Sequence, residues 1–265
     1  MGAGRADPDR LAHPAPPHRP GLRPPRHDLR DIFDVLLYLD RTGAQWRCLP
    51  HDFPPWPTVY GYFAHWQRDG VLHQLHGFLH RLTRQSQGRA VEPGAGALDT
   101  QSVKTSNNVP AASQGTDVGK RIVGRKRGAV TDSLGLLLTV LVTAAGRSDS
   151  AIALHLLDPV HAAHPRLRKV WADSAFRTTV LEHAAHLGID LEVVQRIPGT
   201  KGFAPLPRRW VIERTYGWFM IFRRLARDHE TLTVRSEALI ELRMIDLMTR
   251  RLTGESTPTW RDPTP

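Results

Sequence analysis

From Ala97 onward, β-prone and helical runs follow one another in an order that few architectures accept. ALDTQSVK, RIVGRKRGAV and LGLLLTVLVTAA, separated by polar turn residues, read as three successive antiparallel strands. Ser148 or Asp149 then caps a helix with Ile152, Leu156, Leu157 and Val160 inward, and LRKVWAD follows as a fourth strand. A helix over Thr178 to Leu187 ends at Gly188, IDLEVVQR makes a fifth strand, GTKGFAPLP a loop, and RRWVIERTYGWFMIFRRLARD a helix with basic ends. The order βββαβαβα predicts an α/β unit with a mixed sheet. The helix after the third strand allows a right-handed crossover that lays the fourth strand parallel to the first, with helices on both faces.

The chain ahead of this unit is of a different kind. Residues 1–27 are rich in Pro, Arg, His and Ala without apolar periodicity, which predicts a disordered basic arm carrying Arg19, Arg23 and Arg26. Asp28 can cap a helix in which Ile32, Val35, Leu36 and Leu39 recur on one face, with Gly43 just past its end. Prolines 54, 55 and 57 lead into an aromatic helix with Val59, Phe63 and Trp66 on one face, ending at Gly70. Leu72, Leu75, Leu79 and Leu82 line a third. Three short helices with Arg and His outside predict a helical DNA-binding domain over 28–86. A linker follows over 87–96, then the α/β domain over 97–253 and a disordered tail over 254–265.

Charge points to a polyanionic partner. The 36 cationic residues exceed the 26 acidic ones, giving +10, and only five are lysines, so the field is carried by the planar arginine fork that suits phosphate. Lys120, Arg121, Arg125, Lys126 and Arg127 form a basic string without an acid between Val118 and Thr131, read as a phosphate-contacting strand. Arg209, Arg214, Arg223, Arg224 and Arg227 add a second group in the last helix. The single cysteine, Cys48, rules out paired-thiolate metal sites and reads as a small buried hydrophobe. His73, His76 and His80 read as a solvated face, and Trp210, Tyr216 and Trp218 as core. The longest apolar stretch, LGLLLTVLVTAAG, is too short for a membrane span of roughly 20 residues, and no signal peptide is visible, so a cytoplasmic protein is expected.

Three acids complete the reading. Asp99 lies in the first strand and Asp173 ends the fourth; if those strands are parallel neighbours, both carboxylates meet at one sheet edge. Glu213, the carboxylate in the last helix between Arg208 and Arg227, can reach the same place. Such a set suits a hard cation, Mg²⁺ or Mn²⁺, and a two-metal phosphoryl-transfer site.

ALDTQSVKTS, GKRIVGRKR with DSLGLLL after it, VWADSAF, LPRRWVIERTYGW with RRLARDHE, and the upstream TGAQWRCLPHDFPPWPTVYGYFAHWQRDG resemble the blocks of bacterial insertion-sequence transposases of insertion sequence family five. The resemblance runs from about Pro24 to Leu252. It implies a DDE transposase with a ribonuclease H-like fold that cuts and joins DNA at terminal inverted repeats. Asp99, Asp173 and Glu213 then stand as catalytic and metal-holding acids with two Mg²⁺ or Mn²⁺ ions, and Arg209 as the arginine four residues before the glutamate. It further implies double-stranded DNA, as element ends and target, for a partner, a homodimer in the synaptic complex, and a place on the nucleoid. Gly128 stands where the family often has a histidine, and the Pro-rich stretch Met1 to Pro20 does not resemble the family's opening helix. That opening motivates two alternatives, a catalytically inactive DNA-binding remnant acting as a regulator and a metal-dependent nuclease of the same fold.

Overall fold

The computed structural model describes residues 27–176, 178–194 and 208–256. The expected basic arm, the 199–207 loop and most of the expected tail lie outside the described residues.

Helix α1, Leu29–Thr42, starts where Asp28 accepts a hydrogen bond from the Arg30 amide at 2.9 Å. It stops where Gly43, at φ 71°, donates to the Leu39 carbonyl. Its buried face is the expected Ile32, Val35, Leu36 and Leu39. Helix α2, Trp56–Arg68, follows the proline run and buries Val59 and Phe63. Helix α3, Val71–Ser86, departs from the leucine stripe: Leu72, His76, His80, Thr83 and Arg84 are buried, while Leu82 is exposed. The helix is rotated because buried Asp132 draws in His80, at 3.3 Å, and the Arg84 guanidinium. His76 and His80 are therefore core residues, contrary to the solvated face expected for them.

The sheet order is β2-β3-β1-β5-β6, with β4 also on β3. Its strands are β1 (Ala95–Lys104), β2 (Gly115–Asp117), β3 (Ile122–Asp132), β4 (Leu137–Ala144), β5 (Lys169–Ala172) and β6 (Asp190–Val193). Strands β1, β3 and β4 are the three expected antiparallel runs, and β5 runs parallel to β1 as the crossover requires. Strand β2 adds one unforeseen three-residue rung that pairs the start of β3, too short for any periodicity to reveal.

Helices α4 (Asp149–Ala163) and α5 (Thr178–His186) cover one face, burying Ile152, Leu156, Val160 and Val180 against Leu98, Val130 and Val170. The Ser148 hydroxyl caps α4 by accepting from the Ala151 amide. On the other face, α1–α3 share one continuous core with α6 (Trp210–Met220), α7 (Arg223–Ala226), α8 (Thr233–Thr253) and the sheet residues Ala97, Ala129 and Leu137. The expected single basic helix after residue 208 is thus broken between Met220 and Arg223. Helix α8 had no counterpart in the sequence reading, yet it buries eleven residues, including Arg243, which pairs with Asp246 at 2.7 Å.

Strand β3 carries Gly128 for a steric reason. A Cβ there would stand 2.2 Å from Ile152 Cγ2 and 2.9 Å from Leu156 Cδ1, so α4 rests directly on the strand backbone.

Candidate active site

Parallel register puts two acids level with each other. Ala97 pairs with Trp171; Asp99 lies two residues further along β1 and Asp173 directly follows the last residue of β5, Ala172, so the parallel register carries both acids toward the same edge of the sheet. Helix α6 supplies the third from its first turn, and its seat is tightly specified. The Tyr216 hydroxyl donates to the Asp99 carbonyl at 2.8 Å and lies 3.1 Å from the Arg127 carbonyl, tying α6 to the two central strands. On its next turn toward the β3–β4 hairpin, the Thr215 hydroxyl donates to the Gly135 carbonyl and Arg214 to the Leu134 carbonyl. Gly135, at φ 77°, is required there, since a Cβ would meet the Thr215 hydroxyl at 2.9 Å.

The three carboxylates converge on one nitrogen. Arg209 Nη2 lies 3.6 Å from Asp99 Oδ2, 3.8 Å from Asp173 Oδ2 and 3.9 Å from Glu213 Oε1. Arg209 is itself buried, so its charge is little screened there. Asp99 is the most enclosed acid of the three; burial pushes its carboxyl up to about 6, against the pull of Arg209 and of the Thr100 amide that donates to its Oδ1 at 2.8 Å. Asp173 Oδ1 accepts from the Ala175 amide at 2.7 Å, so each aspartate has one oxygen tied to the backbone and the other turned toward Arg209. Arg209 thus does more than pair with Glu213 along the helix: it serves all three acids.

The basic string is placed differently from the expectation. Arg125, Lys126 and Arg127 are 0%, 5% and 1% exposed, because β3 is an interior strand covered on both faces. Arg125 pairs with Asp228 at 3.1 Å and donates to the Glu230 and Thr231 carbonyls. Lys126 bridges Asp117 at 3.3 Å and Asp149 at 2.9 Å, and Asp149 in turn accepts from the Thr100 hydroxyl. Arg224 is buried on Glu230 at 2.6 Å. Arg125, Lys126 and Arg224 hold the interior together through these pairs, Arg127 is enclosed beside them, and none of the four presents its charge at the surface, which corrects the phosphate-contacting role read for them. Arg209 likewise serves the acids, and Arg214 is stacked between Trp210 and Trp218, 4.5 and 4.7 Å from their centroids.

Of the exposed cations, Lys120 and Arg208 have contacts at this end of the sheet, while Arg223 packs beside Gly43 away from the acids. Lys120 reaches the Thr100 carbonyl at 3.4 Å and bears on Asp99 electrostatically. Arg121 and Arg223 are exposed, as are Arg227 and Arg208, the last lying over Trp171 at 5.1 Å. Trp210, read as core, is 42% exposed, and Cys48 is exposed rather than buried. The Trp171–Arg208 stack joins distant parts of the chain and leaves no spacing signature, whereas Trp210, Arg214 and Trp218 stand at i, i+4 and i+8 on α6, a spacing that marks a shared face. Among the described residues no helix is long and apolar enough to cross a membrane.

Two family models match the chain. The model described as "Transposase DDE domain" covers residues 92–245, more than half of the chain, and "Putative transposase of IS4/5 family" covers residues 9–76. The second match begins inside the Pro-rich stretch that the sequence reading set outside the resemblance. No curated protein matches in sequence. Solved structures of the Mos1 transposase, in its paired-end complex with the left transposon end and in its strand transfer complex, are similar over 89% and 92% of this chain and 80% and 82% of theirs. Both are 11% identical, with TM-scores of 0.31 and 0.33, a likeness too distant to carry an argument. The family models decide the matter: the chain belongs to the DDE transposases of the IS4/5 type, DNA-transposing enzymes built on a ribonuclease H-like α/β fold.

Proposed function

We propose that Asp99, Asp173 and Glu213 are the catalytic acids of this transposase, cutting double-stranded DNA at the ends of its own element and joining those ends to a target. The observation that supports this most is their convergence on Arg209 Nη2, three carboxylate oxygens within 4 Å of one point of positive charge.

The donor chemistry suits a hard divalent cation, since all three groups offer carboxylate oxygens and each aspartate has one oxygen bound to a backbone amide; among the described residues, however, no three acids are gathered closely enough to share an ion as they stand around Arg209. Asp99, Asp173 and Glu213 would hold Mg²⁺ or Mn²⁺, two ions when DNA is bound. Such ions activate water, and later a DNA 3′-hydroxyl, and stabilise the leaving oxygen of the phosphodiester. The chain's own side chains do the rest. Arg209 offsets the mutual repulsion of the acids and holds them together around its Nη2. Tyr216 fixes the turn of α6 that carries Glu213, while Lys120, Arg121 and Arg208 line up on phosphates flanking the cut. The helices over 28–86 act as the DNA-binding domain that recognises the element ends. A homodimer brings two ends together, and the enzyme works on the nucleoid.

Calorimetric Mn²⁺ titration in the presence of an uncleavable end duplex tests the metal part. Two ions per chain are expected for the wild type, with loss of at least one in Asp99→Asn. Equal stoichiometry in both proteins would overturn the assignment.

A further inference from the structure

Far from the acids, a cleft of about 640 Å³ opens between the start of α2 and the loop that precedes α8. Its size is that of a pocket for a small organic ligand. One wall is aromatic: Trp46 and Tyr60 meet edge to face at 5.0 Å and 83°, and Trp56 stands beside them, with Arg224 over the Trp46 ring at 5.2 Å and Arg47 over the Trp56 ring at 5.3 Å, so a ligand ring has the faces the arginines leave uncovered. The opposite wall is polar, with the Asn108 amide donating to the His229 carbonyl at 3.2 Å. Leu232 at the rim is 53% exposed. The one carboxylate in the lining, Glu230, is neutralised by Arg224, whereas Arg235 donates only to the neutral Ala64 carbonyl and Gln67 amide oxygen, and Arg47 is exposed. The cleft is therefore cationic as well as aromatic.

We infer that this cleft binds an unpaired nucleotide of the DNA substrate, its base against the Trp46–Tyr60–Trp56 wall and its phosphate on Arg47. This rests on the DNA-acting function proposed above. Paired bases are already stacked on their neighbours, so ring faces of this kind are useful only to a base that has left the helix. An amide such as Asn108 supplies both a donor and an acceptor for the edge of such a base. Position agrees with the chemistry. Strand β1 runs from Asp99 to Lys104, roughly 16 Å at 3.3 Å per residue, and Ser106 on the cleft lies just beyond its end. At about 3.4 Å per nucleotide, the cleft holds a base on the order of five positions from the phosphate at the acids.

The test uses the full-length chain in EDTA, so that cleavage plays no part, with a labelled 15-nucleotide single strand and the duplex of the same sequence. Fluorescence anisotropy gives affinity, and tryptophan emission reports stacking. Wild type should bind the single strand with quenched emission. Trp56→Ala should weaken single-strand binding about 5- to 150-fold, as loss of one stacking partner does, with duplex affinity within about twofold. Arg47→Ala, an exposed change that spares the fold, should lower the salt slope of single-strand binding by about one. Retained duplex binding with unchanged single-strand affinity in both variants would overturn the inference alone. Failure of the wild type to bind either DNA would overturn the proposed function and the inference with it.

Discussion

Arg125 and Lys120 carry the same charge and lie five residues apart, yet their environments give them opposite roles. Arg125 is fully buried on Asp228, and removing it strands that carboxylate in the interior. Arg125→Met should destabilise the fold by about 3 kcal/mol in urea unfolding while leaving the salt slope of DNA binding unchanged. Lys120→Ala should do the reverse, lowering that slope by about one at unchanged stability. Asp40 offers a second contrast. Neither of its carboxylate oxygens has a hydrogen-bond partner, and burial pushes its carboxyl up to about 8, against the pull of Arg243 and Arg224. The ordinary value is 3.8, so the folded state holds the proton more tightly than the unfolded state. Its contribution is complete below pH 4 and is lost as pH rises toward 8. The thermal midpoint should therefore fall more steeply between pH 5 and 8 in the wild type than in Asp40→Asn; parallel curves would contradict this.

At the scale of elements, α6 is the piece on which the site depends. Tyr216 donates its one hydroxyl proton to the Asp99 carbonyl beside that of Arg127, so Tyr216→Phe should cost about 1–3 kcal/mol and lower cleavage with the acids intact. Strand β3 makes the same point sterically: Gly128→Ala should cost about 1–3 kcal/mol by pushing α4 off the sheet, read as a shift in the denaturation midpoint. What the sequence made legible follows from the range of each interaction. Helix α1 was readable because its cap, stripe and terminal glycine all lie within sixteen residues. Asp99 and Asp173 were readable as a pair because a helical crossover dictates parallel neighbours. The burial of the basic string was not, because its partner Asp228 lies 103 residues beyond Arg125 and nothing local distinguishes an interior strand from an edge. Helix α8 escaped for a related reason: Arg243 and Asp246 neutralise each other inside the core, so its sequence looks more polar than its surroundings.

The whole molecule joins one sheet to helices on both faces, and α1–α3 share a core with the face that carries α6. Changes in those helices should reach the acids through packing. The proposed function turns on the acids gathered around Arg209 cutting and joining DNA. Purified protein incubated with Mg²⁺ or Mn²⁺ and labelled duplex bearing the element's own ends, beside Asp173→Ala, tests it most directly. Cleaved and joined products are expected in the wild type, with a loss of about 10³-fold or more in the variant. Binding without cleavage in either metal, or products that persist in Asp173→Ala, would contradict it.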